Sequence, residues 1–387
     1  MTYFPKKLRK KIVERTQDKA LRVLGDGNSL IDFTSNDYLG FAKNENLFAR
    51  TFQLLLKHDI AENGSTGSRL LSGNHRLYNM LEVVLAEFHD TEKALVFNSG
   101  YDANIGFFAS VPQRGDIVFY DEYVHASIRD GIKMGNAKSC KFKHNDIASL
   151  KEKIEVSVRS QSLTPDSEVY VVTESVFSMD GDSPDLKQFA EFCAFHKYLL
   201  VVDEAHAVGV FGKKGEGLVQ ELGVQKKVFA RIVTFGKSMG GHGAAILGSS
   251  DLRDYLINFS RSFIYSTALT PHTIATILAA YAFLNEDGKQ ERKLLFDNIS
   301  FFREKVKGLK LDPHFIESAS AIQSCIVSGN ERVKKLSNYL AESGFNVKAI
   351  LSPTVPEEQE RLRFCLHSTN SKEEIGLMLE QLKKYLK

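Results

Sequence analysis

Residues 230–243 read ARIVTFGKSMGGHG, and the interpretation of the chain starts from this stretch. Ile232 and Val233 form an apolar run that is typical of a buried strand, and the run gives way to Lys237 in a glycine-rich bend. A lysine just past a buried strand loses part of its hydration, which favours the uncharged amine. An uncharged amine is a nucleophile and a base, so Lys237 is a candidate catalytic residue.

Three interpretations of Lys237 compete. A phosphate-binding loop of the Walker A type needs a glycine five positions before Gly236, where this chain has Arg231, so we reject it. A lysine that forms a Schiff base with pyridoxal 5'-phosphate (PLP) needs an acid for the pyridine nitrogen and a phosphate cradle elsewhere in the chain. A solvated turn lysine without a cofactor is the simplest alternative, and the rest of the sequence decides between the last two.

Bulk composition narrows the class of protein. The chain has 387 residues and a formal net charge of +2, which favours neither a nucleic acid nor a membrane as partner. The basic N-terminal residues lack the apolar core of a signal peptide. The longest apolar stretch, 274–284, is too short to span a bilayer and is predicted to be a core helix. The four cysteines form no CxxC pair, so we expect reduced structural thiols, no metal site and a cytoplasmic location.

Short apolar runs alternate with helical stretches from Lys93 onward. The runs predicted as strands, each ending in polar residues, are 94–97, 117–120, 169–172, 198–202 and 232–233. Strands that alternate with helices predict an α/β fold with a mostly parallel central sheet and helices on both faces. Ligands bind such sheets outside the carboxyl ends of the strands, so we expect the polar residues at these ends to converge on one crevice.

The chain is predicted to have three parts. They are an N-terminal arm (1–40), a large cofactor-binding domain (41–285) and a small C-terminal α+β domain (286–387), with a composition shift at 285–288. The arm is predicted to be helical to about residue 25. The last helix is predicted to begin with a capping box formed by Ser371 and Glu374. No dinucleotide fingerprint opens any of the strand–helix units, which disfavours a nicotinamide dehydrogenase.

The strand ends supply what a PLP site needs. Ser99 and Gly100 are predicted at a helix start, where backbone N–H groups bind phosphate, and Thr234 adds a hydroxyl beside the lysine. Asp203 ends a buried strand and is the candidate partner of the pyridine nitrogen. His206 is the candidate donor to the phenolic oxygen, and His125 is a candidate for the ring face.

The motifs together resemble the α-oxoamine synthases, a family of PLP enzymes of fold type I. The matching segments, which cover almost the whole chain, are SNDYLG (35–40), SRLLSGNHRLY (68–78), NSGYDAN (98–104), HASIRDG (125–131), TESVFSMDGD (173–182), VVDEAHAVGVFG (201–212), TFGKSMGGHGAAILGS (234–249), IYSTALTP (264–271) and SPTVPEEQERLRF (352–364). The resemblance implies catalytic roles for Lys237, His125, Asp203 and His206.

The resemblance also implies the binding residues. The cofactor would be held by Ser99, Gly100, Tyr101, His125, Ser178, Asp203, His206, Thr234 and Lys237, with Thr267 reaching the phosphate in a neighbouring subunit of a homodimer. The substrate would be contacted by Arg22, Asn36, Thr354 and Arg363, the last at the amino-acid carboxylate.

The implied reaction is the decarboxylative condensation of an amino acid with an acyl thioester, carried by coenzyme A or by an acyl-carrier protein. Within the family, residues 234–245 and the Pro-Thr-Val-Pro segment (353–356) look most like the members that join L-alanine to a pimeloyl thioester in biotin biosynthesis. Three alternatives stay open: a family member that uses glycine or serine and another acyl chain, an aminotransferase or lyase on the same fold, and a PLP-binding module without catalysis.

Overall fold

A computed structural model describes residues 4–22, 24, 29–160 and 166–386 of the chain. By internal contacts the chain divides into two units. The small unit comprises 1–35, 179–182 and 294–387, and the large unit comprises 36–178 and 183–293. The three-part division predicted from the sequence stays a prediction.

Helices and strands alternate along most of the chain. The helices are α1 (Lys6–Gln17), α2 (Glu45–Lys57), α3 (Arg76–Phe88), α4 (Gly100–Phe108), α5 (Ala126–Met134), α6 (Ile147–Arg159), α7 (Leu186–His196), α8 (Leu218–Glu221), α9 (Ser250–Phe259), α10 (Arg261–Ile264), α11 (Pro271–Glu286), α12 (Lys289–Gly308), α13 (Asn330–Glu342) and α14 (Lys372–Leu386). The strands are β1 (Ile31–Asp32), β2 (Lys93–Phe97), β3 (Ile117–Asp121), β4 (Lys138–Phe142), β5 (Val169–Glu174), β6 (Leu199–Asp203), β7 (Ala230–Thr234), β8 (Ala244–Gly248), β9 (Ile322–Ile326), β10 (Phe345–Asn346), β11 (Lys348–Ile350) and β12 (Arg361–Cys365).

The large unit is built on a seven-stranded sheet. Its strand order is β2-β8-β7-β6-β5-β3-β4, and all neighbours are parallel except β8, which is antiparallel to β2 and β7. The predicted α/β fold with a mostly parallel sheet is confirmed. The carboxyl ends of β5, β6 and β7 lie side by side, with Glu174 opposite Asp203 and Asp203 opposite Ile232.

Both faces of this sheet are buried. On one face Val172 and Ile232 pack with apolar residues of α4, α5 and α9. On the other face Val171 and Val202 pack with α6 and α7. Alternate residues of each strand therefore enter different cores, which explains why these strands are continuous apolar runs rather than alternating ones.

The predicted core helix at 274–284 lies within α11. This helix begins at a capped end, where the Thr270 side chain accepts the Thr273 N–H and Pro271 occupies the first turn. Most of its apolar residues are buried, and α11 packs against α2 and α3. Among the described residues no helix combines the length and the hydropathy needed to cross a bilayer.

The small unit contains two sheets. One is the antiparallel sheet β11-β12-β9, and the other is the short parallel pair of β1 and β10. The predicted capping box of α14 is confirmed: the Ser371 N–H donates to Glu374 Oε2 (2.8 Å), and the Glu374 N–H donates to Ser371 Oγ (3.1 Å). Ile375, Met378 and Leu382 of α14 are buried, whereas Tyr385, at the same helical spacing, is only partly buried.

The N-terminal helix is shorter than the sequence indicated. A helical arm to about residue 25 was the prediction, whereas α1 ends at Gln17, and residues 25–28 lie outside the described part. None of the residues of α1 is buried, so its end is set by local propensity rather than by packing.

Candidate active site

A cavity of about 260 Å³ opens in the large unit at the carboxyl ends of β5, β6 and β7. Of the predicted site residues, Asn36, Ser99, Gly100, Tyr101, His125, Ser178, Asp203, His206, Thr234 and Lys237 line it. Residues that are up to two hundred positions apart in the chain therefore meet at one place, as expected for polar residues at the strand ends of a parallel sheet.

Four predicted residues do not line this cavity. Thr267 belongs to the large unit, is exposed, and accepts a hydrogen bond on its backbone oxygen from Asn98 Nδ2. Arg22, Thr354 and Arg363 belong to the small unit, where Arg363 is a buried residue of β12 opposite Ser324 of β9. The substrate roles predicted for these three residues and the phosphate role of Thr267 stay predictions.

The start of α4 forms one wall of the cavity. Ser99 caps this nine-residue helix, because its Oγ accepts the Asp102 N–H (3.0 Å). A Cβ on Gly100 would lie 2.7 Å from Thr234 Cγ2, so only glycine lets the first turn of α4 approach Thr234 this closely. The unpaired N–H groups of a helix start and a neighbouring hydroxyl form a suitable cradle for a phosphate.

Asp203 is a buried carboxylate at the end of β6. Its Oδ2 accepts a hydrogen bond from Asn104 Nδ2 (2.9 Å), and its Oδ1 accepts one from the Ala205 N–H (2.9 Å). The two donors hold the carboxylate group in one orientation at the cavity. A buried negative charge in this position can stabilise a protonated pyridine nitrogen.

His125 precedes α5 and caps it. The Ser127 N–H donates to His125 Nδ1 (3.2 Å), and Ser127 Oγ lies 2.7 Å from the same nitrogen. Nδ1 is therefore the acceptor, which assigns the proton of the neutral ring to Nε2. Burial lowers the pKa of His125, so the imidazole is neutral near pH 7.

Glu174 is a cavity residue that the sequence analysis quoted in a motif but gave no role. It is 3 % exposed and ends β5, and its Oε1 accepts the His125 N–H (2.6 Å). Burial, followed by the neighbouring Asp203 carboxylate, raises the pKa of Glu174 well above its usual value. The cavity therefore holds two neighbouring carboxyl groups, and the pKa shift of Glu174 favours its neutral form.

His206 follows β6 and contacts Tyr38. Its Nδ1 lies 2.7 Å from the Tyr38 hydroxyl, which also donates to Asn36 Oδ1 (3.2 Å). A hydrogen bond therefore joins His206 to Tyr38, and its direction depends on which ring nitrogen carries the proton. The SNDYLG segment thus reaches the site through Tyr38 as well as through the predicted Asn36.

Lys237 lies on a tightly closed loop between β7 and β8. Backbone bonds from Phe235 N to Gly243 O (2.9 Å) and from Gly240 N to Lys237 O (2.9 Å) fix the loop. Gly240 has a φ of +61°, and a Cβ at this position would lie 2.4 Å from Ala42 N. The loop therefore requires glycine at position 240, and Lys237 lines the cavity from this loop.

These residues fit PLP. A capped helix start with a hydroxyl beside it suits the phosphate, a fixed buried carboxylate suits the pyridine nitrogen, and an imidazole donor and a lysine complete the set that the cofactor requires. The close approach at Gly100 is the feature least expected of an ordinary strand exit.

Comparison with known proteins agrees with this fit. The family model described as aminotransferase class I and II matches residues 28–382. An 8-amino-7-oxononanoate synthase from Emericella nidulans is 40 % identical over 374 residues, which cover 93 % of this chain and 90 % of that protein.

Two solved structures are similar along almost their whole length. The 8-amino-7-oxononanoate synthase of Francisella tularensis is 30 % identical with a TM-score of 0.77, covering 93 % of this chain and 98 % of that one. A PLP-containing structure of SPT, a serine palmitoyltransferase, is 25 % identical with a TM-score of 0.88, covering 98 % and 97 %.

The fold and the cavity define a PLP-dependent enzyme of fold type I. The chain belongs to the aminotransferase class I and II family and, within it, to the α-oxoamine synthases. Its cofactor is PLP, and it is an acyltransferase.

Three further cavity residues lie in the quoted motifs but were given no role from the sequence: Glu174, Asn104 and Ser127. Glu174 carried one usable signal, since a carboxylate at the end of an otherwise apolar strand is costly unless it has a role. Asn104 and Ser127 gave none, because they lie inside helices whose polar residues are commonly solvated.

Proposed function

We propose that the protein condenses L-alanine with a pimeloyl thioester to give 8-amino-7-oxononanoate, a step of biotin biosynthesis. The observation that carries the proposal is the 40 % identity to an 8-amino-7-oxononanoate synthase across nine-tenths of both chains. In the reaction a C–C bond forms between Cα of alanine and the thioester carbonyl carbon. The C–S bond and the bond to the alanine carboxylate break, a proton is taken up, and carbon dioxide and the free thiol leave.

PLP, when bound, withdraws electrons from Cα and so stabilises the carbanion that attacks the thioester. We propose that the α4 start, with Ser99, Gly100, Tyr101 and Thr234, holds the phosphate. Asp203 would keep the pyridine nitrogen protonated, because its own charge is held by two donors.

Lys237 is proposed to hold the cofactor and then to move the proton at Cα of the amino acid. Its place on a closed loop supports this role, since proton transfer needs the amine within hydrogen-bond reach of a fixed carbon. His206 and Ser178 would contact the phenolic oxygen, and the contact of His206 Nδ1 with the Tyr38 hydroxyl (2.7 Å) would hold the imidazole in place. His125, neutral because burial lowers its pKa, would lie against the ring without adding a charge to it.

Substrate contacts are proposed for Arg22, Asn36, Thr354 and Arg363. Of these, Asn36 lines the cavity, where its side-chain oxygen already accepts from Tyr38. Arg363 would bind the alanine carboxylate, since a guanidinium matches a carboxylate with two parallel hydrogen bonds. Such a grip orients the bond that breaks on decarboxylation.

A homodimer is proposed as the active form. Phe48, Phe52 and Leu56 of α2 lie four residues apart on one side of the helix and are 70 %, 59 % and 63 % exposed. A contiguous apolar stripe of this kind marks a protein interface, and a second copy of this chain is the occupant we propose. Thr267, which is outside the cavity of its own chain, would then contact the phosphate of the partner.

A cytoplasmic location is also proposed. The four cysteines are free, as expected for thiols in a reducing compartment.

A substrate panel tests the proposed reaction. Purified holoenzyme is supplied with L-alanine, glycine or L-serine, each with pimeloyl-CoA, a pimeloyl carrier protein or palmitoyl-CoA, and free thiol and product mass are measured. We expect thiol release and an amino ketone only with L-alanine and a pimeloyl thioester. Product from glycine or serine instead would keep the family and refute the substrate, and a keto acid without thiol would refute the condensation.

A further inference from the structure

Glu174 occupies the floor of the cavity between two of the proposed catalytic residues. It is the last residue of β5, and its register partner in β6 is Asp203. The side chain is 3 % exposed and lines the cavity, so it is enclosed by protein except towards the cofactor site. A buried carboxyl group is costly unless a specific interaction retains it.

The interaction is with the backbone of His125. Glu174 Oε1 accepts the His125 N–H at 2.6 Å, which joins the end of β5 to the residue that caps α5. From the other side, Ser127 fixes His125 Nδ1 through its N–H (3.2 Å) and its hydroxyl (2.7 Å). The backbone and the ring of His125 are therefore held independently, the backbone by Glu174 and the ring by Ser127.

The two carboxyl groups at these strand ends are not equivalent. The Asp203 carboxylate accepts hydrogen bonds from the Asn104 side-chain amide and from the Ala205 N–H, whereas the Glu174 carboxyl group accepts one from the His125 N–H. Burial and the Asp203 charge raise the pKa of Glu174, so its neutral form adds no second negative charge beside Asp203. The His125 N–H needs an oxygen that accepts a hydrogen bond, and the carbonyl oxygen of a neutral Glu174 still supplies one.

We propose that Glu174 is a positioning residue that acts through His125: by accepting its backbone N–H it sets the place of the imidazole against the cofactor. The inference rests on the proposed function for its kinetic readout, but not for its spectroscopic one. The proposal requires that activity depends on the acceptor oxygen of the Glu174 side chain and not on a negative charge there.

The test compares two variants of similar size. Glu174→Gln keeps a carbonyl oxygen for the His125 N–H, and Glu174→Met removes the strong acceptor while filling the same volume. Glu168→Gln is the matched control, because Glu168 is exposed and directly precedes β5. Thermal unfolding of each holoenzyme checks folding, and Glu174→Leu replaces the Met variant if that protein does not fold.

The kinetic readout separates kcat from KM. Because a displacement of about 1 Å in a catalytic group can cost about 100-fold in rate, we expect Glu174→Met to lower kcat by about 10- to 100-fold with KM for L-alanine within about threefold. Glu174→Gln and Glu168→Gln should stay within about threefold of the wild type in both. A Gln variant as impaired as the Met variant would overturn the proposal, because the charge or the proton would then be what matters.

A double-mutant cycle with His125→Ala tests the route of the effect. If Glu174 acts through the imidazole, Glu174→Met should add little to the loss that His125→Ala already causes. Full additivity would overturn the proposal.

A spectroscopic readout needs no substrate. The circular dichroism band of bound PLP reports how the ring is held, and it should change in Glu174→Met and His125→Ala alike but not in Glu174→Gln. An unchanged band in Glu174→Met would overturn the proposal. If the wild type released no thiol from any substrate pair, the proposed function would fail while this readout still decided the role of Glu174.

Discussion

Asn104 Nδ2 lies 2.9 Å from Asp203 Oδ2 and 3.0 Å from Ser127 Oγ. Ser127 in turn contacts His125 Nδ1, so one buried amide joins the carboxylate proposed for the pyridine nitrogen to the imidazole proposed for the ring face. Both ends of the cofactor site therefore depend on a residue of α4, the helix whose start forms the phosphate cradle.

Replacing Asn104 by Ala is expected to weaken PLP binding. A hydrogen bond to a charged group contributes about 1.5–3 kcal/mol, so losing the donor to Asp203 should raise the Kd of PLP by about 10- to 150-fold. The measurement is a PLP titration of the apoprotein followed by absorbance. The control is Asn258→Ala, because Asn258 is an exposed residue of α9 whose side-chain amide donates to Asp254 O. An Asn104→Ala protein with the affinity of the wild type would contradict this network.

Gly100→Ala tests the phosphate cradle. The added Cβ would lie 2.7 Å from Thr234 Cγ2, so the α4 start and β7 must move apart and PLP should bind more weakly. Thr234→Ser removes that methyl group and keeps the hydroxyl. In the double variant Gly100→Ala/Thr234→Ser we therefore expect part of the affinity to return, measured by the same titration. No rescue would show that the close approach is not what requires glycine.

The buried ion pair of Arg231 and Glu204 is expected to stabilise the large unit. Arg231 Nε donates to Glu204 Oε2 (2.8 Å), and the guanidinium also donates to His89 O and Glu216 O (both 3.0 Å). Breaking a buried pair by removing one partner costs about 3–5 kcal/mol, because a charge is left uncompensated. In urea unfolding, Arg231→Met should lower the free energy of unfolding by about this amount. The double variant Arg231→Met/Glu204→Gln should lower it by less. A double variant less stable than the single one would contradict this explanation.

His89 should make stability depend on pH. Its Nδ1 lies 3.0 Å from Glu216 O and its Nε2 lies 2.9 Å from the Tyr281 hydroxyl, and burial, followed by Arg231, lowers its pKa well below 6.5. Below about pH 6.5 the unfolded chain binds a proton that the folded one excludes. Stability should therefore be lost as the pH falls from about 6.5 towards the folded pKa, by up to about 1.4 kcal/mol per pH unit.

The His89 prediction is checked by urea unfolding from pH 8 to pH 5.5 in the wild type and in His89→Gln. The variant lacks the titrating imidazole, so its free energy of unfolding should change less over this pH range, although it should be lower than that of the wild type at pH 8. Parallel pH profiles for the two proteins would contradict the assignment.

The strands that carry the cofactor residues could be predicted, because each is a continuous apolar run that ends in polar residues. Two other strands of the same seven-stranded sheet could not. Lys138–Phe142 reads KSCKF and is mostly exposed at the sheet edge, so it has no apolar run, and Ala244–Gly248 follows the lysine loop without a turn signal of its own. The contacts of Asn104, Glu174 and Tyr38 were also beyond prediction, since they join residues from 49 to 168 positions apart and leave no local spacing pattern.

The central claim is the decarboxylative condensation, and L-alanine labelled with ¹³C in its carboxyl group tests it most directly. The holoenzyme is supplied with the labelled alanine and pimeloyl-CoA, and labelled carbon dioxide, free thiol and product mass are measured together. The account predicts one labelled carbon dioxide for each thiol released, and an amino ketone that carries no label. Label retained in an acylated product, or pyruvate formed without thiol release, would contradict it.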